Sequence, residues 1–123
     1  MDREHFRELV NRAVGELPDE FRNRLDNVDV VVADYPSASQ LARVGIKRRQ
    51  LLLGLYQGIP LTRRGRGYGM VPPDKISIFQ KPIEAICKTD EEVVIEVGRV
   101  VRHEIAHHFG IGDDRLRELE GRD

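Results

Sequence analysis

At 123 residues the chain has room for one domain with one modest core. Its 20 Lys and Arg against 21 Asp and Glu leave a formal charge of −1, which argues against a nucleic-acid or anionic-membrane surface. No apolar run reaches the roughly 18 residues of a membrane span, the charged N-terminus Met1-Asp2-Arg3-Glu4-His5 lacks the apolar stretch of a signal peptide, and the single cysteine, Cys87, excludes an internal disulfide; a cytoplasmic location is the simplest expectation.

Phe6, Leu9, Val10, Ala13, Val14 and Leu17 recur at helical spacing and predict an amphipathic helix over residues 3–17, stopped by Pro18. A short helical continuation is expected over 19–25. The β-branched run 28–33 predicts a strand, 37–44 a short helix and 50–57 a second strand. Residues 58–73 hold Gly58, Pro60, Gly65, Gly67, Gly69, Pro72 and Pro73, interleaved with Arg63, Arg64 and Arg66. That composition reads as a loop, either a plain connector, or a flap over a cleft or a contact for an acidic substrate. A third strand is expected over 76–80, where Ile76, Ile78 and Gln80 alternate with Ser77 and Phe79. Pro82, which cannot donate to a ladder, follows it. Cys87 reads as a small buried residue.

The last long helix is predicted over 89–109. Thr89 with Glu92 three positions on reads as a capping box. Asp90, Glu91 and Glu92 place negative charge in its first turn. Val93, Val94, Val97, Val100, Val101 and Ile105 form an apolar stripe, and Gly110 marks the stop. Three of the chain's four histidines, His103, His107 and His108, lie near its end. There a buried-looking helix would leave imidazoles in need of a partner.

His103-Glu104-Ile105-Ala106-His107 is a helical His-Glu-x-x-His pattern. Positions i and i+4 share a face about 6 Å apart along the axis. Two imidazoles so placed can ligate one Zn²⁺ at about 2.0–2.1 Å. Glu104 then stands beside the metal, where a carboxylate can take a proton from a metal-bound water. A catalytic zinc needs a third protein ligand. Gly110, three residues past His107, permits a sharp turn that carries Asp113 back toward the metal. Asp114 is the nearest competitor, and either aspartate can instead cap the short segment 115–120. His108, rotated about 100° from His107, is expected to pack or hydrogen-bond elsewhere.

His103-Glu104-x-x-His107-x-x-Gly110-x-x-Asp113 resembles the extended zinc signature of metzincin-type peptidases, with Asp in place of the usual third His. Over nearly its full length the chain resembles a family of small bacterial zincin-like metallopeptidases. The likeness rests on residues 103–110, on Asp113-Asp114-Arg115-Leu116, on Gly54-Leu55-Tyr56-Gln57-Gly58-Ile59-Pro60-Leu61-Thr62 and on Ile76-Ser77-Ile78-Phe79. It implies an α+β chain with a minimal zincin-like fold. A small mixed β-sheet would pack against the N-terminal helix and the long zinc-binding helix, in one domain over residues 1–123. It also implies a zinc-dependent hydrolase of peptide bonds. One departure is that no methionine follows His107, so the methionine turn of metzincins is missing.

On that reading one Zn²⁺ is held by His103, His107 and Asp113, and Glu104 is the general base. Tyr56 and Tyr68 are the candidate donors to the developing oxyanion, Tyr56 being equally plausible as a strand core residue. The expected partner is a peptide or protein substrate, laid on strand 76–80 as an edge beside the zinc helix, with no nucleic acid and no membrane. Two alternatives compete: a zinc endoribonuclease, which generally lacks Glu after the first His, and a non-catalytic metal-binding module with four protein ligands.

Overall fold

Residues of period two and of period 3.6 meet on one side of a three-stranded sheet. The computed structural model describes residues 1–45, 52–58, 73–112 and 117–118. Helix α1 (Arg3–Gly15) is capped by Asp2, whose side chain accepts the His5 N–H at 2.7 Å. Helix α2 (Asp19–Arg24) follows Pro18 and leads into β1 (Val28–Ala33). Helix α3 (Ala38–Val44) starts at a full capping box between Ser37 and Gln40. Strands β2 (Gly54–Gln57) and β3 (Asp74–Phe79) come next, then the short helix α4 (Gln80–Ile86) and the long helix α5 (Asp90–Phe109).

The strand order is β1-β3-β2. β1 runs parallel to β3, from Val28 opposite Asp74 to Ala33 opposite Phe79. β2 runs antiparallel, with Gly54 opposite Ile78 and Tyr56 opposite Ile76. One face of the sheet carries Ile76, Ile78, Val28, Val30 and Val32 onto α1 and α5. Phe6, Leu9, Val10 and Ala13 of α1 and Val93, Val97, Val101 and Ile105 of α5 complete that core. Gln40 of α3 reaches the opposite face, donating to Gln57 at 2.9 Å and to Ser77 at 3.5 Å.

This corrects the expected edge position of strand 76–80. β3 is not an edge: β1 and β2 occupy its two sides, so its main-chain groups are spent inside the sheet. Among the described residues the edges are β1 and β2. The strand also ends at Phe79, because Gln80 already opens α4. Sequence patterning missed that helix. Pro82, read as a ladder breaker, lies in the first turn of α4, where a missing N–H costs no helical bond. Gln80 is buried yet satisfied: it accepts from Arg3 Nε at 2.6 Å and donates to the Met1 carbonyl at 2.9 Å and Glu84 at 2.8 Å. The second strand is shorter than expected, since Leu52 and Leu53 precede it and residues 50 and 51 lie outside the described ones.

Helix α5 is 20 residues, about 30 Å long. Thr89 accepts the Glu92 N–H at 3.1 Å, but the return arm of the expected capping box differs: the Glu92 carboxylate accepts from the Thr89 hydroxyl at 3.3 Å. Gly110 ends the helix at φ 70°, in the left-handed region, and the Ile111 N–H closes onto the Ala106 carbonyl at 2.8 Å. No helix among the described residues is long and apolar enough to cross a membrane.

Candidate metal centre and active site

Helix α5 leaves the core as it nears its C-terminus. Ile105 and Ala106 are buried, His103 and Glu104 are half-buried, and residues 107–110 are exposed. The helix is therefore buried along its apolar stripe, as expected, and more exposed at its histidine-bearing end. The His103 and His107 rings lie one turn apart on one face, with centroids 6.4 Å apart and planes at 68°. Neither imidazole hydrogen-bonds to a described residue.

Edge strand β2 supplies the second wall. Phe79 N–H donates to the Leu53 carbonyl at 2.9 Å, which makes 53 and 79 a hydrogen-bonded pair. Antiparallel alternation then turns the main-chain groups of Gly54 and Tyr56 away from β3. The Tyr56 N–H meets Glu104 Oε1 there at 2.8 Å. Such closeness of strand and helix depends on Gly54, since a Cβ on that residue would lie 2.5 Å from Val100 Cγ1. Leu52, Leu53 and Gly54 on one side and Arg99, Val100, His103 and Glu104 on the other line an open cleft of about 200 Å³. A larger hollow of about 420 Å³ lies between α1 and α5. Its wall on α5 is the stripe Val94, Ile95, Gly98 and Arg102, which excludes His103, Glu104 and His107.

The Glu104 carboxyl sits above the usual carboxylate range. Burial raises it most, against the opposing pull of the Tyr56 N–H and of His107 and His103. A carboxylate so shifted is a better proton acceptor near neutral pH than a solvated one. His108 points to the β2 side: its ring stacks on Tyr56 at 3.9 Å and 20°, and Nε2 lies 3.9 Å from Asp74 Oδ2. Tyr56 gives its hydroxyl to the same Asp74 oxygen at 2.6 Å. Sequence reasoning did not find Asp74 or the Tyr56 amide. Gly54 inside an apolar strand was the available signal for a close backbone approach. Cys87 is half-buried on the far stretch between α4 and α5, its thiol pushed up by burial and then by Glu96 and Glu92.

Asp113, Asp114, Tyr68 and most of the arginine-bearing loop lie outside the described residues. Among the described residues no three potential ligand side chains converge on one point. The donor set that is described still fits zinc. Two imidazoles on adjacent turns, without hydrogen bonds to described residues, are zinc-type nitrogen donors, and the carboxylate next to them is anchored elsewhere, by the Tyr56 amide.

The family model for zincin-like metallopeptidases matches residues 25–122. The chain belongs to that family. This zincin-like chain has an α+β architecture consistent with a minimal zincin fold. It is also similar to the solved structure of a conserved hypothetical protein from Thermus thermophilus, with 25% identity and a TM-score of 0.50, over 99% of this chain and 100% of that one. No curated protein matches it. Family membership points to a zinc-dependent peptidase in general terms.

Proposed function

We propose that the protein hydrolyses peptide bonds with a zinc ion held by His103, His107 and Asp113, and with Glu104 as general base. The observation that carries this reading is the placement of Glu104. Its carboxylate stands between the histidine face of α5 and the edge of β2, at the cleft, and is held there by the Tyr56 N–H. Zinc in that position would polarise a water and the scissile carbonyl. Glu104 accepts the proton of the attacking water and returns it to the leaving amine. The Gly54 main-chain groups, turned away from β3, pair with an extended peptide, so β2 takes the role first expected of strand 76–80. The Tyr56 hydroxyl is given to Asp74 and is not assigned to the oxyanion.

The family match and the charge of −1 favour this reading over an endoribonuclease. The test compares wild type and Glu104→Gln on a panel of peptides, with metal content measured in both. The variant should keep its zinc and lose hydrolysis by about 10²–10⁴-fold. Hydrolysis unchanged by the substitution removes Glu104 from its role.

A further inference from the structure

We propose that Tyr56 is a positioning residue for the candidate metal centre: it clamps the last turns of α5 to the edge of β2 and so sets the direction in which Glu104, His103 and His107 point. This deepens the metallopeptidase reading and rests on it. A helix advances about 100° per residue, so α5 carries two i, i+4 pairs side by side, His103 with His107 and Glu104 with His108. The first pair makes no hydrogen bond to a described residue. The second is held at both members by one residue. The Tyr56 N–H donates to Glu104 at 2.8 Å, and the Tyr56 ring stacks on His108 at 3.9 Å.

Core packing through Ile105 and Ala106 holds the helix as far as its last turn, and the two Tyr56 contacts, a turn apart, hold the roll of the exposed turn beyond it. The Tyr56 ring is itself fixed, because its hydroxyl donates to Asp74 of the central strand at 2.6 Å. The same Asp74 oxygen faces His108 Nε2 at 3.9 Å. The close fit continues at Gly58, where a Cβ would meet His108 Cε1 at 3.2 Å. The clamp also acts where packing gives out: no residue of α5 after Ala106 is buried. The pair that faces the cleft thus depends on the neighbouring pair for its orientation, as metal-ligating side chains depend on the groups that orient them.

The probe is Co²⁺ alone, titrated into the full chain, with affinity and visible absorption spectrum as readouts. Wild type should bind one Co²⁺, and His103→Ala should abolish binding. Tyr56→Ala keeps the main-chain N–H to Glu104 but loses the stack and the Asp74 bond, and should weaken binding about 10–100-fold and change the band shape. Tyr56→Phe keeps the stack and the main-chain N–H and loses only the hydroxyl, so a loss of about two- to tenfold is expected. Phe6→Leu, a core change on α1, should lower the melting temperature and leave affinity and spectrum alone. A Tyr56→Ala protein that melts lower yet binds Co²⁺ with wild-type affinity and spectrum overturns the positioning role while sparing the metallopeptidase reading. If Tyr56→Ala does not fold, wild-type affinity and spectrum in Tyr56→Phe overturn it instead. Failure of wild type to bind Co²⁺, or binding indifferent to His103→Ala, overturns both.

Discussion

Gly54→Ala tests whether the contact between β2 and α5 is as close as described. An added methyl would stand 2.5 Å from Val100 Cγ1 and 3.1 Å from the Ser77 carbonyl oxygen. Carbon atoms at rest are about 3.5–4.0 Å apart, so roughly 1 Å of movement is required. Neither neighbour yields easily. Val100 is a β-branched helical residue with one strongly preferred χ1, and Ser77 belongs to the central strand, paired on both sides. The cost should be that of overpacking, about 1–3 kcal/mol. For a chain of this length that lowers the melting temperature by about 4 °C per kcal/mol, hence by about 4–12 °C. Thermal melts followed by circular dichroism measure it. Val100→Ala alone should cost about 1–2 kcal/mol for two lost methyls. In the double variant the clash with Cγ1 is gone, so the two costs should fall short of additivity by about 1–2 kcal/mol. Full additivity, or a Gly54→Ala melt within about 2 °C of wild type, refutes the reasoning.

Zn²⁺ at 100 times its Kd should stabilise the wild type by about 2.7 kcal/mol, a rise of about 10 °C that a chelator reverses and His103→Ala or His107→Ala removes; an unchanged melt of either variant under zinc is the expected sign of a lost ligand, and a full zinc-induced rise in either would deny that histidine its role. Thr89→Ala removes the acceptor for the Glu92 N–H and should cost about 1 kcal/mol, seen as a melt lowered by about 4 °C. Metal-free Glu104→Gln bears on pH. The folded Glu104 pKa is raised, so its carboxyl contributes stability below the unfolded pKa and loses it as pH rises through the folded value. The Gln variant keeps an acceptor for the Tyr56 N–H without the buried charge. It should melt above wild type at neutral pH, with the gap closing as pH falls below the ordinary carboxylate range; a gap that is constant with pH contradicts the burial of Glu104.

What the residues disclosed were local properties. The stripe of Val93, Val97, Val101 and Ile105 shows a helix face, and Thr89 and Gly110 mark its ends, because each signal lies within a turn or two of what it determines. Helix α4 escaped because seven residues are too few for a periodic signal and Pro82 reads equally as a breaker or as a first-turn residue. The site was legible on α5 for the same local reason, since i and i+4 on a helix are neighbours whatever the rest of the chain does. Its other half is not local. Tyr56 and Glu104 lie 48 positions apart, and no periodicity links them.

The misplaced edge strand follows from the same limit. Alternation in 76–80 says that one face of a strand is apolar, but an edge and a centre differ in the perpendicular direction, in whether the N–H and C=O groups have a neighbour. Side-chain pattern carries no record of that direction. In β3 both faces are in fact covered, with Ser77 as buried as Ile76 and Ile78 in practical terms, which favours a central place over an exposed one. Gly54 in the run Leu51-Leu52-Leu53-Gly54-Leu55 pointed the other way, since a glycine there gives up packing unless something must come close. What comes close is α5. The glycine that lets the helix approach and the tyrosine whose amide holds Glu104 lie two residues apart on one face of the edge strand, so the closeness of the strand and the placement of the base are a single structural requirement.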